Sequence, residues 1–451
     1  MFNRFYTKFV TTVLFPLHEK LKKHDTVTIH KKLEQTQWLS SSEIIEQQEA
    51  RLHQFVSQVC IKVPYYKKIL SDLSLTSSDI RSISDLHKLP FLSKEIIRDN
   101  FDSLRATNSG IVKRFTTGGS SGKPLSFLLG NERISHDVAE KWRATRWWGV
   151  DIGDKEIVAW GSPIELGSQD RVRLFRDQLF RSKLIPAFDL TEEKILGFIA
   201  EIQLMKPKML FGYPSVFSLI AKVAIQHDID MSTLGIKVIF VTSERLYPYQ
   251  RETIESVFQA PVANGYGGRD AGFIAHQCPA GGMHISAEDI IIEIVSKDGT
   301  VVPDGEKGEV VVTHLATSDF PFIRYRTGDI AIKSKDLCSC GRGLPLLKDI
   351  EGRTTDFVVA ENGTMMHGLA LIYILRDLDG IEEFKIIQET KLLTRIEIVP
   401  KGTLSCRKKE EIISGFKARL GDNVIIQIDV VDKILAEKSG KFRFVISKVE
   451  A

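Results

Sequence analysis

Between Arg114 and Leu129 the chain reads RFTTGGSSGKPLSFLL. Thr116, Thr117, Ser120 and Ser121 supply hydroxyls, Gly118, Gly119 and Gly122 lack a Cβ, and Lys123 is a cation. Such a stretch lets backbone N–H groups close over an anion as a nest of donors, and it also reads as a solvated Gly/Ser hairpin. A Walker A loop is excluded, because Thr117 stands where G-x-x-x-x-G-K-[ST] needs glycine and Pro124 where it needs a hydroxyl. Walker A also needs a helix after the lysine, whereas PLSFLL opens on proline and reads as strand. The expected arrangement is strand, loop, strand.

A second set of residues has the chemistry of a metal site. Cys278 and His284 form C-x5-H in HQCPAGGMHI, and Cys338 and Cys340 form C-x-C in LCSCGRG. Two such pairs of thiolate and imidazole ligands suit tetrahedral Zn²⁺, and the neighbouring glycines permit the tight turns that ligand knuckles need. The alternative is ordinary buried thiols and a core histidine, and His276 is a possible substitute ligand. All four preferred ligands are remote in sequence from the Thr116–Lys123 loop, which favours a closed structural site over a catalytic one.

These residues need a large scaffold. The chain has 451 residues, 43% hydrophobic and 26% charged, enough for two or three domains. Lysine and arginine number 61 against 58 acids, a net charge of +3 that gives no sign of a nucleic-acid partner. Five cysteines are too few for a disulfide scaffold, and no apolar run approaches the roughly 20 residues that span a bilayer. With no small-residue cleavage site near the start, the expected location is a reducing cytoplasm. The first residues do carry a helical stripe of Phe2, Phe5, Tyr6, Phe9, Val10, Val13, Leu14 and Leu17 beside Arg4, Lys8, Lys20, Lys22 and Lys23. It can pack on the protein's own core or lie on a membrane surface.

Ser40-x-x-Glu43 forms a capping box before Ile44, Ile45, Leu52, Phe55, Val56 and Val59, so residues 1–110 read as a helical lead-in. From about residue 110, EIVAW, EEKILGFIAEIQLM, KMLFGYP, VFSLIAKVAIQH and IKVIFVTSE alternate strand and helix, which predicts an α/β core with a partly parallel sheet. DIIIEIV, GEVVVTHL and DIAIKS, with turns between, predict a more antiparallel region. After about residue 353, FVV, LALIYILRDL, FKIIQE, TRIEIV, KKEEIISGFKARL and VIIQIDVV read as β-α-β-β-α-β, a small α+β domain. The expected domains are thus a lead-in (1–110) packed on a large core (111–353), and a small C-terminal domain (354–451).

With TTGGSSGKP, four more segments complete a pattern: ANGYGGRDAG (263–272), FIRYRTGDI (322–330), IEGRTTDF (350–357) and AEKSGKFRFV (436–445). In this order they resemble the core motifs of the adenylate-forming acyl-ligase superfamily. Together with VPYYKKIL (63–70), the IAHQC context and the CSCGR knuckle, the details resemble its phenylacetate-CoA ligase-like branch, in particular the subgroup of capsule and surface-polysaccharide biosynthesis. The resemblance implies a large N-terminal adenylate-forming α/β domain with mixed sheets and a small mobile α+β domain. It also implies that a small carboxylic acid and ATP give an acyl-adenylate and pyrophosphate, after which a thiol or amine acceptor releases AMP. Thr116 to Lys123 would cover the β- and γ-phosphates, Asn264 and Tyr266 would read and stack on adenine with Gly267 beside them in the nucleotide site, and Asp329 would bind the ribose hydroxyls. Asp270 would stand at the Mg²⁺ position, Arg353 would precede the hinge, and Lys441 would be the catalytic lysine. Zinc would be structural and coenzyme A a possible acceptor.

The pattern also has departures. Asp270 replaces the usual glutamate, Arg269 a hydroxyl residue, and Thr355 the common hinge acid, with Asp356 beside it. His367-Gly368 stands near the place of a proline that helps form the thiol tunnel of coenzyme-A ligases, so an amine, for example on an amino sugar, stays open. A nucleotide-binding assembly protein without turnover is a third reading, although it would have no need of Lys441. Trp142, Trp147, Trp148, Trp160 and LFGYPSVF are equally readable as walls of the acid pocket or as core.

Overall fold

The best-marked helix begins at Ser40, whose Oγ accepts from Glu43 N at 3.4 Å while Glu43 accepts from Ser40 N at 2.8 Å. That capping box starts α4 (Ser41–Lys62), which buries Ile44, Leu52, Phe55, Val56 and Val59 along one face. Pro64 ends it, because the residue before a proline is pushed out of the helical region, and Val63 adopts φ −110°, ψ 110°. The same proline then occupies the first turn of α5 (Pro64–Asp72), where its missing N–H costs nothing. Before these lie α1 (Phe2–Phe9), a π turn (Val10–Leu14), α2 (Phe15–Leu21) and α3 (Thr26–Thr36), and after them α6 (Lys94–Asp99) and α7 (Phe101–Leu104).

The computed structural model describes residues 2–116, 125–160, 171–187, 192–353, 357–361, 365–367, 369–376, 378–434 and 444–449. It comprises two units, Met1–Glu351 and Gly352–Ala451. In the first, β1 (Val112–Thr116) and β2 (Ser126–Gly130) pair antiparallel, so the Gly/Ser stretch connects two strands. Then α8 (Asn131–Trp147) leads into the main sheet. Its strands are β3 (Glu156–Trp160), β4 (Ser182–Pro186), β5 (Met209–Gly212), β6 (Val238–Thr242), β7 (Val262–Gly268), β8 (Gly272–Gln277), β9 (Met283–Ile285), β10 (Ile290–Val295), β11 (Lys307–His314), β12 (Phe322–Lys333) and β13 (Leu346–Arg353).

These strands stand in the order β10-β11-β12-β13-β9-β8-β7-β6-β5-β3-β4. From β4 to β7 neighbours are parallel, and from β7 to β9 antiparallel. The parallel half has helices α9 (Arg171–Phe180), α10 (Glu192–Met205), α11 (Pro214–Gln226) and α12 (Pro248–Phe258) in its connections. β6 is buried at all five positions, as a strand covered on both faces must be. The parallel and antiparallel regions expected separately are therefore one mixed sheet.

In the second unit, β14 (Phe357–Val359) pairs with β15 (Met365–His367), and α13 (Leu369–Arg376) follows. Then β16 (Ile381–Thr390), β17 (Leu393–Pro400), α14 (Cys406–Leu420), β18 (Ile425–Val430) and β19 (Val445–Ser447) give a sheet in the order β18-β17-β16-β19. The FVV run lies outside that sheet, held to it by buried Gln388: Val359 N donates to its Oε1 at 2.9 Å and its Nε2 donates to Val359 O at 2.7 Å.

The inward face of α8 is charged. Arg133, His136, Glu140 and Arg143 recur at helical spacing and all are buried. Arg143 donates to Glu140 at 2.6 Å and to Glu288 at 2.5 Å, Thr36 donates to Glu288 at 2.8 Å, and Ser286 to Glu140 at 3.0 Å. Asp289 meets Arg51 and His136. The Arg51 and His136 charges outweigh burial and hold Asp289 well below the usual carboxylate range, whereas burial raises Glu140 to about 8.

Glu140 generates a pH prediction. Its folded pKa lies above the ordinary 4.5, so the folded chain holds a proton that the unfolded chain releases, and stability falls as pH rises from about 4.5 to about 8. Below about pH 6.5 the buried histidines His276 and His314, pushed down by burial, act in the opposite direction. The fall is therefore clearest between about pH 6.5 and 8, at no more than about 1.4 kcal/mol per unit. Glu140→Gln should flatten it in melting curves recorded across this range; an unchanged slope contradicts the assignment.

Candidate functional site

The nucleotide-type residues converge on the middle of the sheet. On β7, Asn264 and Tyr266 share one face by strand alternation, and Gly265 and Gly267 share the other. A Cβ at Gly267 would lie 2.2 Å from the Gly272 carbonyl oxygen and one at Gly265 would lie 2.8 Å from the Phe240 ring, so only glycine fits behind the tyrosine. Tyr266 OH donates to Asp329 Oδ2 at 2.9 Å, and Tyr325 OH donates to Asp270 Oδ2 at 2.7 Å. The two bonds cross: each joins β12 to β7 or to the turn after it. In sheet order β13, β9 and β8 separate β12 from β7, so such bonds require the sheet to curl back on itself.

Asp329 owes its position to a bulge. Glu309 of β11 faces Ile330 and Val311 faces Arg326, so one residue on β11 spans three on β12. Thr327, Gly328 and Asp329 together stand opposite Val310. Thr327 Oγ1 donates to Val310 O at 2.8 Å and accepts from Asp329 N at 3.1 Å, while Gly328, at φ +77°, donates its N–H to Glu309 at 3.2 Å. The FIRYRTGDI pattern is thus a geometric device that lifts a carboxylate out of the pleat.

Asp270 is buried in the β7–β8 turn, where its Oδ1 accepts from Ala271 N at 3.1 Å. Arg269 reaches from the same turn to the carbonyl of Thr116 at 3.4 Å. Thr116 is the exposed last residue of β1. Thr117, Gly118, Gly119, Ser120, Ser121, Gly122, Lys123, Thr355, Asp356, Gly368 and Lys441 lie outside the described residues. Arg353 ends β13.

The four metal-type residues come together. The ligand atoms of Cys278, His284, Cys338 and Cys340 all lie within 4.8 Å of one another, the one such group of three or more among the described residues. Cys278 and Cys338 sulfurs are 3.6 Å apart, and Cys340 Sγ is 3.2 Å from His284 Nε2. For comparison, a tetrahedron with Zn–S bonds of about 2.3 Å has S···S edges of about 3.7 Å. His284 Nδ1 lies 3.4 Å from Leu344 O, an arrangement in which Nδ1–H donates and Nε2 keeps its lone pair for the cluster. Burial pushes His284 down to about 4, which keeps it neutral, and raises Cys278 to about 12; at Cys340 the bonds from Arg342 outweigh burial and lower the thiol.

Both knuckles are shaped by glycine. Gly281 at φ +91° donates to Cys278 O at 2.9 Å, and Gly341 at φ +83° donates to Cys338 O at 3.2 Å. A Cβ on Gly282 would lie 2.5 Å from Cys338 Sγ. His276, weighed above as a substitute ligand, instead packs on Phe240 and Phe273.

The tryptophans divide among several tasks. Trp142 is core, stacked on His30 at 3.7 Å. Trp147 lies edge-on to His284 at 5.4 Å under the Arg342 guanidinium, and Trp148 donates to Gln277 O at 2.9 Å. Trp160 ends β3 and stacks on Tyr213 at 4.7 Å, just beyond the end of β5. Carboxyl ends of parallel strands are where open α/β sheets bind ligands. Tyr325 and Gln277 are site residues that the sequence reading missed. Gln277 Oε1 accepts from Asn264 N and from Arg251, locking β7 against β8, and both residues lay inside quoted motifs.

Comparison with known proteins agrees with this architecture. A family model described as the CapK C-terminal domain matches residues 358–448. Protein CapK of Staphylococcus aureus is 24% identical over 417 residues, 91% of this chain and 90% of its own length. A phenylacetate-coenzyme A ligase of Thermus thermophilus is 23% identical over 84% of this chain and 83% of its own. The crystal structure of 2-hydroxyisobutyryl-CoA ligase with 2-HIB-AMP superposes with a TM-score of 0.73 at 22% identity, over 91% of this chain and 90% of that one. Along most of its length this chain is thus similar to CapK and to the phenylacetate-CoA ligases, it matches the CapK C-terminal domain over residues 358–448, and it shares its fold with 2-hydroxyisobutyryl-CoA ligase.

Proposed function

We propose that this protein is an AMP-forming acid ligase that activates a small carboxylic acid with MgATP and passes the acyl group to a thiol, with coenzyme A as acceptor. The observation that carries the reading is the crossed Tyr266–Asp329 and Tyr325–Asp270 pairing. It presents two carboxylates and an aromatic ring on neighbouring elements. A carboxylate can accept from both hydroxyls of a ribose, an oxygen ligand suits Mg²⁺, and a tyrosine face can stack on a purine.

In the first half-reaction the acid's carboxylate attacks the α-phosphorus and pyrophosphate leaves. Asp329 would hold the ribose, Tyr266 the adenine and Asp270 the metal, with Thr116–Lys123 over the leaving phosphates. Lys441 would supply the cation that stabilises charge developing in the transition state. In the second half-reaction a thiolate attacks the acyl carbon and AMP leaves. The relatives named for coenzyme A favour this acceptor. An amine acceptor, as on an amino sugar of a surface polysaccharide, is favoured by His367-Gly368 standing where coenzyme-A ligases of this branch carry proline.

The cluster of Cys278, His284, Cys338 and Cys340 fits Zn²⁺ in a structural role, because all four positions are filled by protein ligands and none is left for water. Bound zinc would neutralise thiolates that burial otherwise disfavours.

Three outcomes test these assignments. Pyrophosphate release should appear with at least one member of a panel of carboxylic acids, and AMP release should then require coenzyme A or an amine, whichever is the acceptor. A protein that releases no pyrophosphate with any acid is the binding-only alternative. Lys441→Ala should lose about 10² to 10³ in pyrophosphate-forming rate with little change in ATP affinity, and should still turn over a supplied acyl-adenylate. Equal loss in both half-reactions by a folded variant contradicts that role. Finally, purified protein should contain about one zinc per chain by elemental analysis, and Cys340→Ser should lose metal and at least about 5 °C of melting temperature. Fully active, zinc-free protein contradicts the metal assignment.

A further inference from the structure

The amino-terminal helix carries an apolar face that its own fold leaves uncovered. Tyr6, Val10, Leu14 and Phe15 turn toward the large unit, where Tyr6 OH donates to Leu179 O at 3.0 Å and Phe15 packs edge-on against Trp142 at 5.2 Å and Phe180 at 5.9 Å. Phe5, Phe9, Val13, Leu17 and Leu21 point away, from 41% exposed at Phe9 to 77% at Leu21. These five recur every fourth residue. On a 3.6-residue helix such a series drifts round the axis, but the π turn at Val10–Leu14 takes back part of the drift and keeps them nearer one side.

Charge along the amino-terminal helix itself is mostly basic. From Met1 to Lys23 the chain has Arg4, Lys8, Lys20, Lys22 and Lys23 against a single acid, Glu19. That acid is buried and accepts from Thr26 within the fold, whereas the five basic residues are exposed. α9, which meets the amino-terminal helix at Leu179 and Phe180, adds exposed Leu174 and Phe175 together with Arg173 and with Arg176, the last paired with Asp177. Burial pushes Lys22 down, and so do Arg176, Lys113 and Arg173, against the opposite pull of Glu19. A groove beside the helix is lined by Arg4 and Lys8 and by the pairs Arg146–Asp151 and Lys208–Asp154.

We infer that this face, the stripe Phe5–Phe9–Val13–Leu17–Leu21 with the exposed Arg4, Lys8, Lys20, Lys22 and Lys23 of the same segment, docks the protein peripherally on an anionic lipid surface. Large apolar side chains enter the boundary between headgroups and acyl chains, and lysine and arginine remain at the level of the phosphates. No helix among the described residues is long and apolar enough to cross a membrane, so the contact is in plane. The basic border selects lipid over a second copy of this chain, because two such faces brought together would appose like charges.

Vesicle co-sedimentation of the full chain tests this without turnover, so its failure and a failure of adenylation are separate outcomes. The protein should pellet with phosphatidylcholine–phosphatidylglycerol vesicles, weakly with phosphatidylcholine alone, and less as salt rises from about 0.1 M to about 1 M. Phe9→Ser with Leu17→Ser should lower partitioning by about tenfold or more, and so should Phe5→Ser with Leu21→Ser, at positions too exposed for the fold to depend on them. Lys20→Glu with Lys23→Glu should remove the preference for anionic vesicles while the melting temperature stays unchanged. The inference is overturned if wild type stays in the supernatant with anionic vesicles, or if both apolar double variants pellet as wild type does. It is equally overturned if wild type is a dimer that these variants dissociate and that does not bind vesicles, which assigns the face to self-association.

Discussion

Around the candidate site the structure depends on one corner of buried charge. Glu288 and Asp289 sit between β9 and β10, both 5% exposed or less, and burying an ion costs several kcal/mol unless its partners are close and well aligned. Here the partners come from elsewhere in the chain: Thr36 on α3, Arg51 on α4, and His136 and Arg143 on α8. The carboxylates therefore act as a fixed point to which three helices are tied. Removal of Arg143 would leave Glu288 without its ion-pair partner in the interior, whereas Asp289 is held by both Arg51 and His136. The chain just before this corner runs back through Ser286 to β9, so the same tie sets the register of the hairpin that carries the metal-type cluster.

β8 transmits that constraint to β7, the candidate nucleotide strand. At its start is the turn with Asp270 and at its end Cys278, with Gln277 in between gripping both Asn264 and Arg251. One strand of six residues thus has the thiol–imidazole cluster anchored at one end and the candidate Mg²⁺ carboxylate at the other. The remote cysteines need not approach the reacting atoms to matter for them. They fix where β8 ends, and the glycines on the back of β7 allow that strand to lie close enough for Tyr266 to reach Asp329.

The amino-terminal helix shows how one pattern can hold two readings at once. The sequence shows the stripe as apolar and helical, suited to the protein's own core or to a lipid surface. In the fold the stripe divides lengthwise, because a helix lying on a surface buries only part of its circumference. Tyr6, Val10, Leu14 and Phe15 serve the core, and the residues four apart on the other side do not.

The sequence alone determined what depends on short-range chemistry. The capping box at Ser40, the strand after Lys123, the alternation of the α/β core, the glycine-bounded C-x5-H and C-x-C pairs and the order of motifs are each written in a few adjacent residues. Tertiary structure alone decided what depends on residues meeting across the chain. Tyr325 on Asp270, Gln277 between two strands, the charged face of α8 and the unity of the parallel and antiparallel halves leave no local mark, because each partner looks ordinary until a curled sheet brings the other within hydrogen-bond distance. His276 and His284 make the same point: both are histidines in one hairpin, and only the direction in which packing turns each ring separates a core residue from a candidate metal ligand.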